Sequence, residues 1–171
     1  DPADRAPFSP MPTRPLLRWP NEARIAVYVV PNVEHYEYLP RPSNRRDPWP
    51  RMPHPDVIGY GLRDYGNRVG AWRLRDLFDA LDLPVSLLAN SALYAYAPEL
   101  MAAFRARGDE VVGHGRSNSE RQSTLTVEAE TRLIAEATQI LTQAEGKPPQ
   151  GWLSPWIAES AQTPDLLVEA G

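Results

Sequence analysis

The stretch Asp109-Glu110-Val111-Val112-Gly113-His114-Gly115-Arg116-Ser117-Asn118-Ser119-Glu120 decides how the rest of this chain is read. A short apolar run, Val111-Val112, is followed at once by two glycines flanking a histidine, then by a cluster of polar side chains. A buried strand that delivers functional groups at its carboxyl end has this pattern. Gly113 and Gly115 leave room for backbone or ligand to approach closely. His114 and Asn118 carry nitrogen and oxygen groups suited to binding, and Ser117 and Ser119 are placed to orient them. Taken alone, the stretch also suits a hydrogen-bonded turn around a structural histidine.

Segments on either side repeat the design. Residues 24–30 (Arg-Ile-Ala-Val-Tyr-Val-Val) form a nearly continuous apolar run, as in a strand buried on both faces. The run ends at Pro31 and is followed by Asn32, Glu34, His35, Tyr36 and Glu37. Residues 85–89 give a second short strand, ending at Asn90-Ser91, and Gly151-Trp152-Leu153-Ser154 a fourth, ended by Pro155.

Helices fill the intervals. Val69, Trp72, Leu74, Leu77, Phe78 and Leu81 fall at helical spacing. A helix over 97–107 turns Leu100, Met101 and Phe104 inward and stops at Gly108. Thr126 reads as the N-cap of a helix to about residue 145, with Glu128 and Glu130 suiting the first-turn dipole. Its buried face is Leu133, Ile134, Ala137, Ile140 and Leu141. Thr163-Pro164-Asp165 is a cap with proline at the first helical position.

The order βαβαβαβα implies an α/β fold with parallel strands and right-handed crossovers, either an open doubly wound sheet or a (β/α) barrel. Both place their ligand site at the carboxyl ends of the strands. Asn32 and Glu34, Asn90, His114 and Asn118, and Trp152 and Ser154 all occupy such ends. That convergence makes Glu34 and His114 candidate site residues, whereas Asn90 and Ser154 read better as turn or cap groups. No glycine-rich phosphate loop follows the first strand, which disfavours nucleotide binding.

Residues 1–22 are proline-rich and aperiodic, an extended arm anchored by Leu16, Leu17 and Trp19. Residues 23–171 then form the domain, interrupted by a long irregular loop at 39–66. Trp49, Met52, His54 and Tyr60 make that loop a lid or a substrate-contacting segment. The 171 residues suit one domain with a real core. A net charge of −4 suggests neither nucleic acid nor an anionic membrane as partner. The absence of cysteine removes disulfides and thiolate chemistry. No apolar run approaches the length of a bilayer span and the first residues show no signal-peptide h-region, so the cytoplasm is the expected compartment.

Four segments in order carry a family resemblance. They are the strand ending Asn32-Val33-Glu34-His35, the run from Arg63 to Leu74 (Arg-Asp-Tyr-Gly-Asn-Arg-Val-Gly-Ala-Trp-Arg-Leu), the Gly113-His114-Gly115-Arg116-Ser117-Asn118 turn and Gly151-Trp152-Leu153-Ser154-Pro155. Together they resemble the polysaccharide deacetylase superfamily (carbohydrate esterase family 4), in particular its branch with metal-independent allantoinase and related amidases. The resemblance implies a distorted (β/α) barrel that hydrolyses a non-peptide C–N bond, in a small linear or cyclic amide or in an N-acetyl sugar. Members that use a metal place a base aspartate and a ligand aspartate after the first strand, and two histidines at H-x-x-x-H spacing.

By position, the base aspartate falls on Asn32, the ligand aspartate on Glu34, and the histidines on His114 and Asn118. An amide is no general base near neutrality, and Asn118 is a far poorer zinc ligand than imidazole. The resemblance therefore points first to an allantoinase-like or imidase-like amidase. Glu34 acts as base and His114 as oxyanion stabiliser or acid. Asn32, Asn118, Arg68 and Arg63 bind substrate, and Trp152 and Pro155 wall the pocket. The alternatives are a metal-dependent N-deacetylase, with zinc or another divalent ion held by Glu34, His114 and Asn118, and a degenerate module that binds a glycan or metabolite without turnover. A barrel needs eight strands and typically about 250 residues. The chain is therefore expected to be the N-terminal part of the catalytic domain. It would be poorly active without a C-terminal half and multimeric as members of this branch are.

Overall fold

The computed structural model describes residues 5–40 and 54–171. Three parallel strands form the sheet in the order β1 (Asn32–Val33), β2 (Ser86–Ala89), β3 (Glu110–Gly113). The fold is α/β with a parallel sheet, as the alternation of patterns implies. The fourth strand is reduced to a single parallel bridge between Gly113 and Trp152.

The helices are α1 (Val57–Tyr65), α2 (Ala71–Ala80), α3 (Leu93–Tyr96), α4 (Pro98–Arg107), α5 (Val127–Glu145) and α6 (Thr163–Ala170). Asp56 caps α1 through its side chain, which accepts from the Gly59 N–H at 2.8 Å. Between α1 and α2 the chain keeps turning, through a π-helical segment at Gly66–Gly70. The expected loop at 39–66 is thus helical from Val57 onward. Trp49 and Met52 lie outside the described residues.

β2 is the central strand, and Leu87, Leu88 and Ala89 are all buried. Around it pack Val33, Ala71, Phe78, Leu93, Leu100, Met101, Phe104 and Leu141. Side chains of this size contribute roughly 1.5–3 kcal/mol each when fully buried. A second cluster, Leu133, Ile134 and Leu166 with Trp152 against it, ties α5 to α6. Gly108 and Gly146 end α4 and α5.

Several sequence expectations need correction. Residues 24–30 are not a buried strand, because Ile25, Val27 and Tyr28 are exposed. Pairing with β2 begins only where the Val29 and Pro31 carbonyls accept from Ser86 and Leu88. β1 lies at the edge of the described sheet, a place where proline costs no ladder donor.

Leu74, Leu77 and Leu81 of the α2 region are exposed, and the inward face is Ala71 and Phe78 instead. Ile140 lies toward solvent, while its four predicted companions on α5 are buried. Glu130 is fully buried and accepts from Gln122 (3.2 Å), Ser160 (2.6 Å) and Thr163 rather than merely complementing a dipole. Thr163 is the first residue of α6, not its cap. Leu16, Leu17 and Trp19 do not anchor the arm, since all are exposed. The arm is held instead by Arg5, whose guanidinium donates to both Asp165 oxygens at 2.6 Å.

Candidate active site

Register builds the site. Val33 pairs with Ala89, Ala89 with Gly113, and Gly113 with Trp152. One residue further along, Glu34, Asn90, His114 and Leu153 therefore stand in one row across the carboxyl edge of the sheet. Side chains alternate faces along a strand, so residues in one row share a face.

Hydrogen bonds then close the two loops that carry the chemistry. Asn118 N–H donates to the His35 carbonyl (2.8 Å), the Glu37 N–H donates to Ser119 Oγ (2.8 Å), and the His35 N–H donates to Asn90 Oδ1 (2.7 Å). Asn90 Nδ2 donates to the His114 carbonyl and to Asn118 Oδ1 (2.9 Å).

His114 is buried at 2% exposure. Its Nδ1 lies 2.5 Å from the Leu153 carbonyl, which can only accept, so Nδ1 carries a proton. The chemically free position is Nε2, which has no hydrogen-bond partner among the described residues and faces Glu34 Oε1 at 3.5 Å.

Glu34 is ringed by donors. Tyr36 Oη donates at 2.9 Å and Asn32 Nδ2 sits at 3.5 Å, while Asn67 Nδ2 donates to the Glu34 main-chain carbonyl at 2.9 Å. Burial opposes ionisation of Glu34, but the facing His114 ring, the Tyr36 hydroxyl and the nearby Asn118 amide outweigh it. The carboxyl is held below the usual range. Burial and the same carboxylate push the Tyr36 phenol up to about 12.

A cavity of about 260 Å³ opens beside this carboxylate, lined by Asn32, Glu34, Tyr36, Arg63 and Asn67 over an apolar floor that includes Phe104. The Arg63 guanidinium lies over the Tyr36 ring, 4.2 Å from its centroid.

The structure thus brings together Glu34, His114, Asn118 and Asn32, with Arg63 on the cavity wall. Arg68 does not join them. It pairs with Asp64 at 2.5 Å and lines a separate cavity with Trp72 and Tyr96. Trp152 is no wall of this cavity either, because its ring packs over Gly113 and into the α5–α6 cluster. Pro155 is buried against Gly115, behind His114.

Sequence reasoning passed over Asn67, whose only signal was two glycines bracketing a polar run inside a helix. π-Helical turns of this kind are frequent at functional sites. Trp156 was missed as well. It donates from Nε1 to the Asn118 carbonyl (2.9 Å), meets Tyr36 edge-on, and sits with Ile157 at positive φ (65° and 53°). Two consecutive non-glycine residues there mark local backbone strain.

No protein-family model matches the chain. A peptidoglycan deacetylase of Helicobacter pylori is 30% identical over 117 residues, which span 68% of this chain and 39% of that protein. Among solved structures, the Puue allantoinase superposes with a TM-score of 0.72 at 26% identity, over 90% of this chain and 53% of that one. A structure described as a polysaccharide deacetylase from Pseudomonas aeruginosa PAO1 gives 0.71 at 26% identity, again over 90% and 53%.

The chain belongs to the polysaccharide deacetylase superfamily. It spans 39% of that curated relative and about half of the structures it matches. The carboxylate and imidazole described above therefore lie in a chain whose named relatives include a peptidoglycan deacetylase and an allantoinase.

The metal that the family resemblance implies fits these residues poorly. Glu34 and His114 Nε2 offer two good donors, and the described residues hold no cluster of three or more His, Cys, Asp or Glu able to take an ion. Catalytic zinc sites take three protein ligands. The third position is Asn118, whose oxygen already accepts from Asn90. No helix among the described residues is long and apolar enough to cross a membrane.

Proposed function

We propose that residues 23–171 are the N-terminal part of a distorted (β/α) barrel, preceded by an arm at 1–22. The barrel hydrolyses a non-peptide C–N bond by attack of water on an acyl carbon. The observation that carries this reading is the facing pair Glu34 Oε1 and His114 Nε2, 3.5 Å apart at the carboxyl edge of the sheet.

The Glu34 carboxylate takes a proton from the attacking water while the water oxygen bonds to the acyl carbon. The imidazolium, fixed through Nδ1–H to Leu153, gives its Nε2 proton to the leaving nitrogen as the C–N bond breaks. A carboxylic acid and an amine leave. One proton passed from Glu34 back to His114 then resets the pair. Asn32 and Asn118 hold the carboxylate and the substrate amide by hydrogen bonds, and Arg63 presents its charge at the cavity wall.

The sequence put a linear or cyclic amide first as substrate. The names of the relatives shift the weight to an N-acetyl sugar polymer, because the curated relative and the Pseudomonas structure are both described as deacetylases. The cyclic-amide reading stays as the second, favoured by the Puue allantoinase superposition and by the lack, among the described residues, of a third metal-ligating side chain.

The test is to measure acetate release from N-acetylglucosamine oligomers and ring opening of allantoin by the protein and by its Glu34→Gln variant. Glu34→Gln is expected to lose about 10²–10⁴-fold in rate while keeping most of its substrate affinity. A variant as fast as the parent on the preferred substrate refutes the assignment. Binding without turnover by a parent that carries the rest of the barrel would instead make this a binding module.

A further inference from the structure

Asn90, read from sequence as a turn residue, has an amide whose orientation is dictated by backbone. The His35 N–H can only donate, so the atom it meets at 2.7 Å is Oδ1. The His114 carbonyl can only accept, so the atom it meets is Nδ2. Asn90 is fully buried, and flipping its amide would set both contacts against each other.

The second Nδ2 proton of Asn90 is directed at Asn118, 2.9 Å away, where only an oxygen can receive it. Asn118 Nδ2 is thereby turned the other way, toward Tyr36 Oη at 3.3 Å, which itself donates to the Glu34 carboxylate at 2.9 Å. The main chain of Asn118 is clamped too, by its N–H to His35 (2.8 Å) and its carbonyl to Trp156 (2.9 Å).

We propose that Asn90 is a positioning residue that fixes the polarity of position 118. Asn118 consequently presents its N–H donor to Tyr36 Oη, the group that donates to Glu34, and its one ligating atom is withdrawn from any metal. The proposal rests on the reading that Glu34 is the acting carboxylate. Position 118 thus orients Glu34 through Tyr36, and among the described residues a divalent ion would find only Glu34 and His114 there.

Two measurements test this without requiring turnover. Side-chain amide NMR of the folded protein should show nuclear Overhauser contacts from the Asn118 NH₂ protons to the Tyr36 ring. In Asn90→Asp the acceptor now facing Asn118 should flip that amide and remove those contacts. Contacts missing in the parent, or retained in a folded Asn90→Asp, overturn the proposal.

Should Asn90→Asp not fold, Asn118→Asp provides the second arm. Its oxygens need no flip, since one can accept from Asn90 while the other joins Glu34 and His114. Titration with zinc alone should show at least ten-fold tighter binding than the parent, because three protein ligands now converge. Equal zinc affinity in parent and variant overturns the proposal. If Glu34→Gln proves fully active while both results hold, the functional reading fails and the polarity of position 118 stands.

Discussion

Gly113→Ala tests whether the packing beneath the site is as tight as the register requires. A Cβ at this position would lie 2.4 Å from Trp152 Cε3 and 2.8 Å from Cζ3. Ordinary contact begins near 3.4 Å, so the ring or the strand must shift by roughly 1 Å. The ring has little freedom to move. Its Nε1 donates to Gln122 Oε1 at 3.0 Å, and its other edge rests on the Leu133–Ile134–Leu166 cluster. The backbone is pinned as well, by Gly113 N–H to Gly151 and Leu153 N–H to Gly113, both at 2.9 Å.

Overpacking of this kind costs about 1–3 kcal/mol, which for a chain of this size lowers the melting temperature by roughly 3–10 °C. Leu153, whose carbonyl holds His114 Nδ1, adjoins the displaced tryptophan. The same substitution should therefore reduce hydrolysis beyond the loss of folded protein. Gly151→Ala is the internal control, because its Cβ would meet Val112 Cγ1 at an ordinary 3.4 Å. Thermal unfolding followed by circular dichroism is the assay. A Gly113→Ala protein melting within about 1 °C of the parent, or a Gly151→Ala protein destabilised as much, would refute the reasoning.

Two further outcomes follow from the buried polar groups. Glu130→Ala removes the acceptor of the Ser160 and Thr163 hydroxyls, which can still pair with each other at 3.2 Å, and of the buried Gln122 amide, whose loss of this partner costs about 1–3 kcal/mol. A denaturant midpoint unchanged in that variant would show that the network contributes nothing. Among the seven tyrosines, Tyr36, Tyr94 and Tyr96 are raised by burial and by neighbouring carboxylates. Absorbance at 295 nm should show a late-titrating fraction that normalises on unfolding. For Tyr36 the sign is fixed. The unfolded chain loses the phenol proton near pH 10, before the folded one does at about 12, so this stabilising contribution is lost as pH rises across that window. A Tyr36→Phe difference curve that is flat between pH 10 and 12 would contradict it.

Much of the site was legible because it follows from strand ends. An apolar run closed by Gly-His-Gly, and another closed by Asn-Val-Glu, each announce a residue just beyond the last ladder pair, and Glu34 and His114 occupy one row. What stayed hidden depends on layers the local pattern does not report. Residues 24–30 have the composition of a buried strand, but what covers Ile25, Val27 and Tyr28 is a tertiary matter. A tryptophan beside a proline reads as a pocket wall, as Trp152 does, but its place against Gly113 depends on packing that the local sequence does not report. Asn67 projects from a π-helical turn, where 3.6-residue periodicity fails to say which side chain faces the sheet.

The amides around Glu34 share a property that narrows where its chemistry can occur. Asn67 is spent on the Glu34 carbonyl, Asn90 on the main chain of His35 and His114, and Asn118 is oriented by Asn90. Each is tied, directly or through one neighbour, to a backbone group that cannot exchange donor for acceptor. Tyr36 keeps its proton until well above neutrality. The donors that hold Glu34 ionised are therefore fixed at working pH, and they depress its basicity while keeping it charged. Facing the carboxylate is His114 Nε2, on a ring prevented from rotating by Leu153. Among the described residues, this static shell leaves the edge between Nε2 and Oε1 as the place where the proposed proton transfers meet. His114→Gln and Glu34→Gln should for that reason be non-additive, with the double variant no slower than the slower single one, because each alone already breaks the proposed exchanging pair.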